Sequence, residues 1–142
     1  MKFEYRPAQN YQHAQRLVRL NMQDYYTQQQ VEWNAQAFVD SWQDCENYEL
    51  LVDGQVVGVV RWQAQGDDWY IRDLQVAEDF QNRGLGSWAL EALIEEAQAE
   101  GIHNLRLRVF RGCRAQELYQ RFGFEVTLPG DVVLTMKRCL TH

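Results

Sequence analysis

Between Asp79 and Gly101 the chain reads DFQNRGLGSWALEALIEEAQAEG. Gly84 and Gly86 open a segment in which Leu85, Trp88, Ala89, Ala92 and Leu93 recur at helical spacing. The first N–H groups of a helix have no intrahelical acceptor, and the helix dipole adds about half a positive charge there. A glycine turn leading into such a start is a place for an anion, phosphate above all. Arginine is the matching side chain, because its planar fork donates two hydrogen bonds at once. Twelve of the 14 cations are Arg, and Arg83, Arg106, Arg108, Arg111 and Arg114 lie in this turn or in the segment after its helix. Taken singly, each also fits a solvated surface charge.

Three phosphate carriers use such a turn. A P-loop requires Gly-Lys-Ser/Thr, and here Gly86 is followed by Ser87-Trp88. Gly84-Leu85-Gly86-Ser87-Trp88-Ala89 fits the G-x-G-x-x-A dinucleotide fingerprint. That motif, however, follows the first strand of a long βαβ sheet. Too little chain remains after Gly86, and Arg106 stands where an acid would hold the ribose. The pyrophosphate of coenzyme A is the third guest.

The elements that must position this turn are legible. Lys2–Arg6 alternates and reads as a strand ending at Pro7. Asn10 caps a helix carrying Ala14, Leu17 and Val18, and Asn34 caps a second carrying Phe38, Val39 and Trp42. YELLVDGQVVGVVRWQ is a hairpin about Asp53-Gly54. DWYIRDLQVAE is a third strand, in which strict alternation puts Trp69, Ile71, Asp73 and Gln75 on one side and Tyr70, Arg72, Leu74 and Val76 on the other. Neither side is cleanly polar, so the strand is expected to be central and covered on both faces. Gly101 stops the long helix. LRLRVF is then a strand, RAQELYQRF a helix and DVVLTMKR a last strand, with Phe124–Val126 as a further short one. The order β-α-α-β-β-β-α-β-α-β describes one α+β or mixed α/β domain over residues 1–142.

Composition narrows the class. A chain of 142 residues with 46% hydrophobic content suits one globular core. A net charge of −6 argues against a general nucleic-acid binder. Cys45, Cys113 and Cys139, with His13, His103 and His142, form no close-spaced ligand set, so no metal is expected. An odd cysteine count fits a reducing compartment. With no apolar leader and no stretch long enough to span a bilayer, the expectation is a cytoplasmic protein with no membrane partner.

Gln81-x-x-Gly84-x-Gly86 resembles the Q/R-x-x-G-x-G/A signature of the GCN5-related N-acetyltransferase (GNAT) family. RAQELYQRFGFE is similar to that family's downstream A-x-x-L-Y-x-x-x-G-F segment, matching at Ala115, Leu118, Tyr119, Gly123 and Phe124. Two motifs in the right order, over roughly residues 47–126, carry the resemblance. It implies a central mixed, mostly antiparallel sheet with helices on both faces. Two parallel strands, IRDLQV and NLRLRV, would splay apart to admit acetyl-CoA. Leu74, Gln75 and Val76 would pair with the pantetheine through their backbones. Gln81, Asn82, Arg83, Gly84, Leu85, Gly86 and Ser87 would hold the pyrophosphate. The activity implied is transfer of the acetyl group to a primary amine.

By the same resemblance Tyr119 is the proton donor to the departing CoA sulfur. A phenol with pKa of about 10 is protonated at neutral pH and can donate. Tyr119 also falls on a core stripe with Ala115, Leu118 and Phe122, and both roles can coexist. Asp73, on the strand beside the thioester, is a candidate base; a salt bridge with Arg72 is the competing role. The family often has Asn where this chain has Gly112, which leaves Arg111, Cys113 or Arg114 to grip the cofactor on that side. Asp24 and Glu32 are further acids near the acceptor region. Tyr25, Tyr26, Trp33, Phe38 and Trp42, joined by Trp62, would line an amine pocket, since cations lie well on aromatic faces. The acceptor is then a small-molecule or peptide amine, and a homodimer is left open. The alternative is a non-catalytic acyl-CoA-binding or sensing module on the same fold.

Overall fold

Side-chain caps set where the first helices begin. In the computed structural model, which describes residues 1–140, Asn10 Oδ1 accepts from the Gln12 N–H at 2.8 Å ahead of α1 (Tyr11–Gln28). Asn34 Oδ1 accepts from the Ala37 N–H at 2.9 Å ahead of α2 (Ala35–Trp42). Before them runs β1 (Phe3–Pro7), and after them β2 (Glu46–Val52) and β3 (Gln55–Gln65) form the hairpin. Its turn residues Asp53 (φ 50°) and Gly54 (φ 85°) are both left-handed, as a twist-matched two-residue loop requires. Then come β4 (Asp68–Val76), a 3₁₀ turn at Glu78–Phe80, α3 (Leu85–Ala99), β5 (Asn104–Phe110), α4 (Arg114–Arg121), β6 (Glu125–Leu128) and β7 (Val133–Cys139). The short strand after Gly123 is thus real, and it makes the seventh. His142 lies outside the described residues.

The seven strands order β1-β2-β3-β4-β5-β7-β6, and every neighbouring pair is antiparallel except β4 with β5. Two apolar clusters cover the two faces. The larger joins α3 and Tyr119 of α4 to Leu50, Val60, Trp62, Trp69, Ile71, Leu105, Leu107 and Met136 of the sheet. The smaller sets Ala14, Leu17 and Val18 of α1 and Phe38 of α2 on Val59. β4 therefore sits mid-sheet with helices on both sides, as its lack of a polar face predicts.

Its alternation is broken, which corrects the strict period-2 reading. Arg61 pairs with Asp73 but Trp62 pairs with Ile71, so Arg72 is an extra residue, a β-bulge. Trp69 and Ile71 point into the α3 cluster. Beyond the bulge Asp73 turns to the α1–α2 face, where it meets Arg61 under Phe38. A one-residue insertion flips every later side chain of a strand, and nothing in the residue types of DWYIRDLQV marks where it falls.

Candidate active site

The parallel pairing of β4 and β5 lasts four residues, Asp68↔Asn104 to Ile71↔Leu107. β4 continues to Val76 and β5 to Phe110, each still paired on its far side but no longer with the other. The two strands thus fork at Ile71–Leu107, and everything that follows is arranged around the fork.

One wall is the free edge of β4. The Gln75 carbonyl faces β3, since a Cβ on Gly58 would meet it at 2.8 Å, and the Ala77 N–H donates to Val57 O on the same side at 2.7 Å. Alternation then turns the backbone groups of Leu74 and Val76 into the fork. The Val76 carbonyl is engaged there by Asn21 Nδ2 (2.8 Å) and Gln81 Nε2 (2.9 Å). Of the three residues expected to offer backbone pairing, Leu74 and Val76 are placed to do so. Gln75 is not, and its side chain instead accepts from Asn21 at 3.2 Å.

The end of the fork is the glycine turn. Gln81 ties it to the tip of β4 through that Val76 bond. Asn82 (φ 62°) and Gly84 (φ 88°) are both left-handed, which curls successive N–H groups into a concavity. Gly84 caps α3 with no side-chain bond, and no acid stands in the first turn, so the N–H groups of Leu85, Gly86 and Ser87 keep their full pull on an anion. The Leu85 side chain itself is core. A Cβ at Gly86 would touch only Leu118, at an ordinary 3.7 Å. The protein's own packing therefore does not demand glycine there, and what it leaves clear is the approach to the helix end. Arg83 lies over the Phe80 ring, 5.0 Å from its centroid. Arg114, at the start of α4, donates to Gln81 Oε1 (3.3 Å) and to Asn82 Oδ1, which sets a guanidinium on the turn. Arg111 is drawn away to Gly130 O, and Gly112 (φ 79°) spends its N–H on Gln116. Of the residues expected to stand in at Gly112, Arg114 is the one that reaches the turn.

Tyr119 approaches the fork from the α3–α4 side. It is buried, edge-on to Phe124 at 5.3 Å, and its hydroxyl enters no hydrogen bond among the described residues. Burial pushes its phenol well above the ordinary value, and the charges of Asp73 and Cys113 push the same way. Asp73 lies on the opposite face of the sheet from Tyr119. Burial raises the Asp73 carboxyl despite Arg61, whose Nη1 donates to Oδ2 at 2.7 Å. The salt-bridge partner is thus Arg61 rather than Arg72. Arg61 is itself buried, with Nε on Asn47 Oδ1, Nη2 on Ser41 Oγ and its guanidinium 4.2 Å from the Phe38 centroid. A lone charge inside VVGVVRW was the available signal for it.

The α1–α2 side is aromatic. Tyr25 stacks on Phe110 of β5 (5.8 Å, 7°), and Tyr26 stands edge-on to both Phe110 and Trp33. Trp33, Phe38 and Trp42 continue the tract. Trp62 does not join it. One step along β3 from Arg61, it faces the other way and stacks between Tyr48 and Trp69. Asp24 and Glu32 stay exposed. Sequence patterning alone does not mark Phe110; Asn21 follows Leu17 by four on the inward stripe of α1, where a polar residue has to find a partner.

Comparison with known proteins agrees with this geometry. Residues 14–124 match the model of the acetyltransferase (GNAT) family. An L-methionine sulfoximine/L-methionine sulfone acetyltransferase of Pseudomonas paraeruginosa is 32% identical over 104 residues, covering 66% of this chain and 60% of that protein. A ribosomal protein bS18 alanine N-acetyltransferase of Salmonella typhimurium is 34% identical over 79 residues, covering 55% and 53%. This chain thus spans at most 60% of the length of these two curated relatives. Among solved structures, an IAA acetyltransferase from Bacillus cereus superposes with a TM-score of 0.77 at 16% identity, covering 97% of this chain and 99% of that one. The ribosomal-protein-S18-alanine N-acetyltransferase from Escherichia coli superposes with a TM-score of 0.75 at 20% identity, covering 99% and 96%. A forked parallel pair, a glycine turn at its end and a family match across most of the chain lead to one conclusion: this protein belongs to the acetyltransferase (GNAT) family.

Proposed function

We propose that this protein is an acetyl-CoA-dependent N-acetyltransferase acting on a primary amine. The observation that carries the reading is the fork between β4 and β5, with a helix start that no side chain caps at its end and, at its side, a buried phenol without a hydrogen bond among the described residues. The residues present fit acetyl-CoA. The N–H groups from Asn82 to Ser87, with Arg83 and Arg114, suit its pyrophosphate, and Leu74 and Val76 offer a strand edge to its pantetheine.

Acetyl-CoA supplies an activated thioester: the amine nitrogen attacks its carbonyl carbon, the C–N bond forms, the C–S bond breaks, and CoA departs as thiolate. Tyr119 gives its proton to that sulfur, and the second proton, which the attacking nitrogen loses as the amide forms, restores the phenol through water. Its raised pKa keeps the hydroxyl protonated throughout the neutral range, so the donor form is always present. Asp73 places a carboxylate where the acceptor approaches as an ammonium. The proton that the amine sheds before attack goes to water. Because Arg61 holds Asp73, we assign it attraction and orientation of the amine. We place this activity in the cytoplasm.

Replacing Tyr119 by Phe is expected to lower kcat by about a hundredfold or more, while KM for acetyl-CoA moves by less than about twofold. Steady-state release of free thiol with a working amine measures both. Undiminished turnover would remove the proton-donor role. Binding of acetyl-CoA with no turnover on any amine would favour the non-catalytic module instead.

A further inference from the structure

The bulge at Arg72 has a chemical result as well as a geometric one. It sets a cation and an anion side by side on the α1–α2 face, one residue past the fork. Arg72 donates to Gln63 Oε1 (2.8 Å) and lies 4.5 Å from the Tyr70 centroid, while Asp73 bonds Arg61. From β5, Arg108 lies close to the same phenol: burial raises the Tyr70 phenol, and the charges of Arg108 and Arg72 draw it back. Arg108 stands one residue past Leu107, the last partner of Ile71, so the two guanidinium groups flank the mouth of the fork from its two strands. Tyr70 lies between them.

Neither Arg72 nor Arg108 forms an ion pair among the described residues. Their neighbours on this face do: Arg61 with Asp73, and Arg106 with Asp68 at 2.6 Å. Most Arg of the chain form no ion pair among the described residues; Arg72 and Arg108 are the ones that stand at the mouth of the fork, where they offer donors to a carboxylate. Asp73, an arm's length away, suits an ammonium. The charges on offer, plus at Arg72 and Arg108 and minus at Asp73, mirror a molecule that carries its amine and its carboxylate on one carbon.

We propose that Arg72 and Arg108 form a carboxylate clamp and that the acceptor is a free α-amino acid. Its amine lies against Asp73 at the thioester and its carboxylate takes the two guanidinium groups. The aromatic tract of Tyr25, Tyr26, Trp33 and Phe110 then receives the side chain. The proposal rests on the N-acetyltransfer reading and narrows its acceptor. Polyamines lack the carboxylate, and the N-terminus of a peptide carries an amide in its place.

The test follows thiol release from acetyl-CoA with three acceptor sets: the common L-amino acids, the same compounds as carboxamides, and spermidine. The expected result is turnover of one or more free acids, with kcat/KM at least about tenfold lower for the matching carboxamide. Arg72→Gln and Arg108→Gln are each expected to raise KM for that acid about tenfold or more, with kcat changed by less than about threefold, and to abolish the preference for acid over amide. Arg106→Gln, exposed and already paired with Asp68, is expected to behave as the unaltered enzyme. Carboxamides or spermidine turning over as well as the free acids would overturn the clamp, as would an acid preference that survives both substitutions. Turnover of none of the three sets would also overturn the clamp; only if peptide amines added as a fourth set also fail, with acetyl-CoA still bound, is N-acetyltransfer itself overturned.

Discussion

Arg61 and Asp73 form the most buried ion pair among the described residues. A guanidinium almost wholly out of water keeps its charge only because Asp73, Asn47, Ser41 and the Phe38 ring share its donors and its face. Breaking one side of such a pair leaves the other buried and uncompensated, which costs about 3–5 kcal/mol. Arg61→Met and Asp73→Leu are therefore each expected to lose stability on that scale in urea unfolding. The double substitution should lose clearly less than the two losses added together, and simple additivity would show that the pair is not coupled. Tyr119 and the turn residues could be singled out as candidates from their motifs. Arg61 could not, because its partner is set by a bulge, and a bulge is a property of two strands in register rather than of either alone.

At the scale of elements, two glycines separate packing from function. Gly58 on β3 has the Gln75 carbonyl 2.8 Å from where its Cβ would stand, and Leu50 at 3.1 Å. Gly58→Ala must push β3 and β4 apart or displace Leu50, at a cost of about 1–3 kcal/mol. Gly86 lies in the first turn of α3 with room to spare, so Gly86→Ala should leave the unfolding midpoint unchanged or raised. The same change is expected to weaken CoA binding by at least about tenfold in isothermal titration, because the methyl group occupies the approach to the helix start. Unaltered CoA affinity would show that the pyrophosphate does not rest there. The elements were largely readable from caps, turns and periodicity. The exceptions are instructive: strict alternation along β4 misplaced Asp73, and Trp62 followed the sheet face of its own strand rather than the aromatic tract it resembled by composition.

Across the whole molecule the sheet is nearly two sheets. β1 to β4 form one antiparallel block and β5, β7 and β6 another, and among the described residues the only strand pairing between them is the four parallel pairs between Asp68–Ile71 and Asn104–Leu107, tied further by Asn104 and Arg106 to Asp68. A guest lying along β4 would lengthen that seam. Hydrogen exchange should therefore slow at Leu74 and Val76 when saturating acetyl-CoA is added, while Gln75, already turned to β3, changes little. Equal slowing at all three would mean that the gain is general stiffening rather than strand addition.

A strand with unpaired backbone groups usually invites another protein. The two outer edges carry the usual deterrents: β1 has Lys2 just before it and ends in Arg6 and Pro7, and β6 is only four residues long, with Pro129 after it. The edge within the fork, at Leu74 and Val76, lacks such charges and prolines, and its only side-chain guard among the described residues is Asn21 and Gln81 on the Val76 carbonyl. β5 faces it, while α1 and α3 roof β4 from above and below. A polypeptide needs breadth for side chains on alternate sides, and an unbranched chain does not. The fork is thus a size filter, in which the groups that would seed aggregation on an open edge are reserved for a guest slim enough to enter.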